Sequence, residues 1–192
     1  MFRKILALSV LMTAMMFQAS AYADDYVIDT KGAHAFIQFK IKHLGYSWLS
    51  GRFNTFSGAF SYDEKNLGAS SISVDIDTAS VDSNHAERDK HLRDDDFLDV
   101  KKFPKAKFVS TRIEPKGEGK ATLYGNLTLK DVTKELALDV ELVGKGPDPW
   151  GGQRAGFEGS TSFRLKDFNI LKDLGPLSQT VEMTLSVEGI RQ

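Results

Sequence analysis

The sequence predicts an all-β protein, a closed antiparallel sheet of about eight strands with an apolar inside, a polar outside and one short helix. Three observations predict it. Apolar and polar residues alternate in stretch after stretch, turn residues separate those stretches, and a helical period is almost absent. The last stretch is the clearest: Val181, Met183, Leu185 and Val187 interleave with Glu182, Thr184, Ser186 and Glu188. A period of two puts the first set on one face of a strand and the second set on the other.

The N-terminus stands apart. Arg3 and Lys4 precede a nearly unbroken apolar run from Ile5 to Phe17, and Ala21-Tyr22-Ala23 supplies a small-x-small cleavage pattern. The run is too short to cross ~30 Å of hydrocarbon, which takes about 20 residues. Residues 1–23 therefore read as a signal peptide, and residues 24–192 as one domain secreted to the periplasm, with no stable membrane insertion. The chain has no cysteine, which excludes disulfides, thiol catalysis, thiolate metal sites and lipoprotein acylation. Its net charge of −1 becomes −3 once Arg3 and Lys4 are lost, so charge gives no argument for nucleic acid.

The elements follow in order. Tyr26 to Ile28 is short and closes an end. Ile37, Phe39 and Ile41 alternate with Gln38, Lys40 and Lys42. Phe53 then sits on one phase while Phe56, Phe60 and Tyr62 sit on the other, a flip that points to a bulge or bend near Gly58. Ile72, Val74 and Ile76 alternate cleanly. Asn84 followed by Glu87 resembles a capping box, and the run Asp94-Asp95-Asp96 opposes the negative end of a helix dipole, so a short helix spans 84–93. Phe108, Val109 and Ile113 resume the strands, with a turn cluster at Pro115, Gly117 and Gly119. Further sets run through Leu123, Gly125, Leu127 and Leu129, through Leu136, Leu138 and Val140, and through Ala155, Phe157, Thr161 and Phe163. A Gly/Pro-rich loop spans 144–152. Eight strands suit a barrel whose interior just fills or holds one ligand; a sandwich is the competing architecture.

The inward faces mix bulky groups (Phe39, Phe157, Phe163, Leu185) with small ones (Gly125, Gly159, Thr161). Small inward residues leave room for a long apolar ligand. Alternating large and small residues also fits the taper of a filled barrel, and alternation alone favours that reading. The candidate wall comprises Phe39, Ile41, Phe53, Ile76, Gly125, Leu127, Leu138, Phe157, Gly159, Phe163, Met183 and Leu185.

Catalytic signatures are sparse. His85 and His91 are six residues apart, about 120° around a helix, which suits shared zinc ligation poorly. His85–Asp89 and Glu87–His91 read instead as i,i+4 pairs on a surface helix. Asp94, Asp95, Asp96 and Asp99 lack calcium-loop spacing. His34 and His43 are isolated. No G-x-S-x-G, H-E-x-x-H or phosphate loop occurs, and Gly117-Glu118-Gly119-Lys120 reads as a hairpin turn. An enzyme using the His85–His91 region is the alternative to a binding protein. Arg88, Lys90, Arg93, Lys101, Lys102, Lys105 and Lys107 could meet a polar head group at a cavity mouth, or simply compensate neighbouring aspartates.

Several segments together resemble the YceI-like periplasmic proteins of bacteria. They are 43–48 (HLGYSW), 84–93 (NHAERDKHLR), Asp96-Phe97-Leu98, Phe103-Pro104, 127–129, Val132-Thr133-Lys134, 148–152 (DPWGG) and 165–169 (LKDFN). The resemblance spans the mature chain. It implies an extended lipocalin-like barrel binding a polyisoprenoid or isoprenoid quinone in an apolar channel. It also implies a soluble carrier without catalysis or cofactor, at times linked to stress such as alkaline pH. One departure is Lys130-Asp131, where the family often has Asn-Gly, better suited to a two-residue turn.

Overall fold

Eleven strands join into one antiparallel sheet in a computed structural model that describes residues 23–192. The expected signal peptide, apart from Ala23, lies outside the described residues. The strands are β1 (Asp24–Ile28), β2 (Phe36–His43), β3 (Ser47–Phe53), β4 (Phe56–Tyr62), β5 (Ser71–Asp77) and β6 (Val81–Asp82), followed by β7 (Lys105–Gly117), β8 (Lys120–Leu129), β9 (Val132–Pro147), β10 (Gln153–Arg164) and β11 (Thr180–Arg191). One helix, α1 (Ala86–Arg93), lies between β6 and β7.

Eleven strands fill eight positions because three positions are each shared by two short strands. Both β1 and β2 pair along one edge of β11, with Tyr26 opposite Arg191 and Ile41 opposite Val181. Strands β3 and β4 continue one another beside β2 and β1, and β6 and β5 do the same one position further. Pairing of β1 with both β4 and β11 closes the ring. A closed barrel, not a sandwich, is the architecture, and it leaves most edges paired.

Local chemistry explains where the alternation breaks. The flip between Phe53 and Phe56 comes from Asn54-Thr55, the two residues between β3 and β4, and not from Gly58. Asn54 N donates to Ser80 O and Thr55 N to Ser80 Oγ, so the chain steps across and both phenylalanines face inward. In β7 the register shifts between Ser110 and Arg112, so Phe108 and Ile113 both face inward despite their odd spacing, and Val109 is exposed. Pro115 lies inside β7 beside a second register shift, where a missing N–H is tolerated. The turn itself is Glu118-Gly119, with φ of 52° and 76°, as a type I′ hairpin requires. Lys130-Asp131 still forms a two-residue turn, with Lys130 at φ 56°.

The helix starts later than its sequence pattern suggests. His85, not Asn84, is the cap, its Nδ1 accepting from Arg88 N at 3.3 Å. Asp89 turns inward and accepts from Ser83 N (2.7 Å) and Ser83 Oγ, so it does not pair with His85. His91 bonds Asp96 (3.0 Å), not Glu87. Arg93 donates to the carbonyls of Ala79 and Val81, which ties the helix to the β5–β6 junction.

Candidate functional site

Several inward side chains of the barrel, among them Phe39, Ile41, Phe53, Phe157, Phe163 and Met183, are half-buried rather than buried, because they face a cavity of about 1150 Å³. That exceeds the ~300–1,000 Å³ of ordinary small-molecule sites. Its lining runs from the helix end, at His43, Leu44, His91 and Ser178, to the hairpin end, at Leu67, Glu118, Gly119 and Leu142. The space is thus a channel along the barrel. Filled core remains around it: Tyr26 stacks on Phe60 with centroids 4.8 Å apart, and Phe168 packs edge-on against Phe163 at 4.9 Å.

Of the wall residues expected from sequence, Phe39, Ile41, Phe53, Ile76, Leu127, Leu138, Phe157, Gly159, Phe163, Met183 and Leu185 all line the channel. Gly125 does not. The Phe108 ring covers it so closely that a Cβ there would come within 2.2 Å of Phe108 Cζ. The space beside Gly125 is therefore occupied by an aromatic ring, as it is where Phe39 lies over Gly51. Gly159 differs: a Cβ there would meet Val140 Cγ1 at 3.4 Å, an ordinary contact. Sequence reading missed Phe108, Ile113 and Pro115 as wall residues, since the bulge in β7 hides their common face. It also missed Leu44 and Leu49 at the helix-end mouth, where β3 begins earlier than its pattern shows.

Most of the polar groups sit towards the ends, with Thr161 and Glu158 in the middle of β10 as exceptions. Of the seven cations expected at a mouth, only Arg88 lines the channel, and its guanidinium is engaged by Ser83 Oγ (2.7 Å) and Ser83 O (2.6 Å). Lys105 and Lys107 instead pair with Asp77 and Asp75 across neighbouring strands. The lysines that reach the channel are Lys42 at the helix end and Lys120 at the hairpin end. Near the latter, Lys145 bonds Glu64 at 2.8 Å, which raises the lysine pKa and lowers that of the carboxyl.

His85 and His91 do not form a joint site. His85 caps α1, while His91 at the mouth bonds Asp96, which Lys172 also holds at 2.6 Å. Those two partners keep the Asp96 carboxyl below its ordinary range. Among the described residues, the group with metal-donor spacing is Asp29, His34 and Glu188. Arg154 stands among them, 2.8 Å from Asp29 Oδ2, and bonds Glu188 and Asp148 as well. The cation these carboxylates hold is a guanidinium. It keeps the Asp29 carboxyl far below the usual carboxylate range, helped by His34 and Gly32 N, and Asp29 and Glu188 push the guanidinium up. Asp148 also accepts from Trp150 N and Gly152 N, so the segment 148–154 is built around one arginine.

Comparison with known proteins fits this geometry. The YceI-like domain matches residues 26–189. The UPF0312 protein of Pseudomonas aeruginosa strain PAO1 is 58% identical over 192 residues, covering 100% of both chains. Among solved structures, Burkholderia cenocepacia BcnA superposes with a TM-score of 0.76 at 24% identity, covering 84% of this chain and 98% of its own. A polyisoprenoid binding domain from Saccharophagus degradans, implicated in plant cell wall breakdown, gives 0.66 at 16% identity, covering 87% and 98%. At such identities the likeness is one of fold.

Proposed function

This chain belongs to the YceI-like family, and we propose that its barrel holds the tail of a polyisoprenoid lipid or isoprenoid quinone, as a periplasmic carrier and not as an enzyme. The observation that carries the reading is the channel itself, long, apolar and continuous from one end of the barrel to the other. Water is a poor occupant: at about 30 Å³ each, roughly forty molecules would face walls with few hydrogen-bond partners. A branched hydrocarbon chain gains about 0.8 kcal/mol per buried CH₂ in the same place. The Saccharophagus degradans domain, with its polyisoprenoid-binding description, supports the ligand class through a shared fold.

The test is uptake of a long-chain polyprenol or quinone from detergent solution, compared with Gly159→Phe. Uptake by the parent protein and at least a tenfold loss in the variant are expected. No uptake by the parent, or equal uptake by both, would overturn the reading. The carrier role further requires that the chain be recovered from the periplasmic fraction beginning at Asp24, which an N-terminal mass measurement reads directly. Any link to alkaline or other stress belongs to the same proposal.

A further inference from the structure

Large apolar side chains are left exposed at the helix-end mouth of the channel. Tyr46 and Trp48 flank the tip of the β2–β3 hairpin at 89% and 46% exposure, and Leu44 lies beside them at 54%. Leu177, at 59%, comes from the β10–β11 loop and packs on the same hairpin: a Cβ on Gly45 would touch its Cδ1, and Leu44 N donates to Ser178 Oγ at 3.1 Å. Leu171, on that same loop, is 75% exposed. Two separate segments thus converge on one apolar tip. His43, Leu44, Leu174, Gly175 and Ser178, on the same two segments, line the channel. Lys40 and Lys42 stand over the Trp48 ring, 4.5 and 5.6 Å from its centroid.

We infer that this tip docks on an anionic lipid bilayer, placing the channel mouth against the membrane. Tyrosine and tryptophan with a cation above an apolar body suit the bilayer interface, where the ring leaves water and the charge stays among head groups. Exposed leucines beside them supply insertion depth. The charge contribution is modest. Lys40 is paired with Glu182 and Lys172 with Asp96, and Asp173 lies at the rim, so Lys42 is the lysine beside Trp48 whose charge no carboxylate pairs among the described residues. Continuity with the mouth is what makes a bilayer the fitting partner: a tail could pass into the channel without crossing water. Only that purpose rests on the carrier reading; the docking surface stands on its own exposed residues.

The experiment uses vesicles of equal parts phosphatidylethanolamine and phosphatidylglycerol. In a Trp150→Phe protein, Trp48 fluorescence should shift to the blue on vesicle addition and the protein should sediment with them. In a Trp48→Phe protein, Trp150, on the β9–β10 loop at the other end, should not shift. The double variant Tyr46→Ser/Leu177→Ser should sediment at least tenfold less while taking up polyprenol from detergent as the parent does. Vesicles of phosphatidylcholine alone should bind several-fold more weakly, and equal binding would overturn the charge component. Parent protein that stays in solution, a shift at Trp150 alone, undiminished sedimentation of the double variant, or a vesicle-free dimer that shields Trp48 would each overturn the docking. Docking without polyprenol uptake would instead sink the carrier reading and leave the docking surface standing.

Discussion

Two inward glycines that look alike in sequence have opposite roles. A side chain at Gly159 projects into the channel without collision, whereas one at Gly125 meets the Phe108 ring. Gly125→Leu should therefore destabilise the barrel by about 1–3 kcal/mol, the range for overpacking, and lower its midpoint in urea. Gly159→Leu should leave that midpoint near the parent value and act on lipid uptake. A second residue-scale prediction concerns pH. Asp29 ionises more readily folded than unfolded, because Arg154, His34 and Gly32 N all favour its charged form. Its contribution is thus fully present above the unfolded value near 3.8 and fades as pH falls below it. Asp29→Asn should be less stable than the parent at pH 7, with the gap narrowing between about pH 4 and pH 2. Urea titrations across that range measure it; a gap that widens on acidification would contradict the arrangement around Arg154.

At the scale of elements, α1 is held by polar ties more than by an apolar face. Its buried residue is Asp89, whose carboxylate satisfies both Ser83 N and Ser83 Oγ. Asp89→Ala would strand those donors at a cost of about 1–3 kcal/mol. Chemical denaturation should show that loss, and amide exchange should quicken in 86–93 before it does in the strands. The strands themselves were legible because period two survives in each of them, as in Val181 to Val187. Their interruptions were not. The Asn54-Thr55 step depends on bonds to Ser80, far along the chain, and the β7 bulge depends on its register against β8. Neither leaves a local mark beyond a broken phase. The helix was legible in place, but its capping and pairing were not, because Ser83 and Asp96 outcompete the i,i+4 partners that spacing alone suggests.

For the whole molecule, alternation established an inside and could not decide whether that inside is filled. The decision belongs to how far apart eight strand positions hold their opposite walls, a property no single strand carries. Aromatic rings over Gly51 and Gly125 consume some of the space that the small residues promise, and the remainder is still a channel of about 1150 Å³. The proposed role follows from that shape and from the largely apolar wall, with most polar groups towards the two ends. Protein purified without detergent and extracted with organic solvent gives the most direct test, through the mass spectrum of what it carried. A lipid with an isoprenoid tail, close to one per barrel, is the expected result. An extract with no apolar molecule, from a protein that also fails to take up added polyprenol or quinone, would contradict the account.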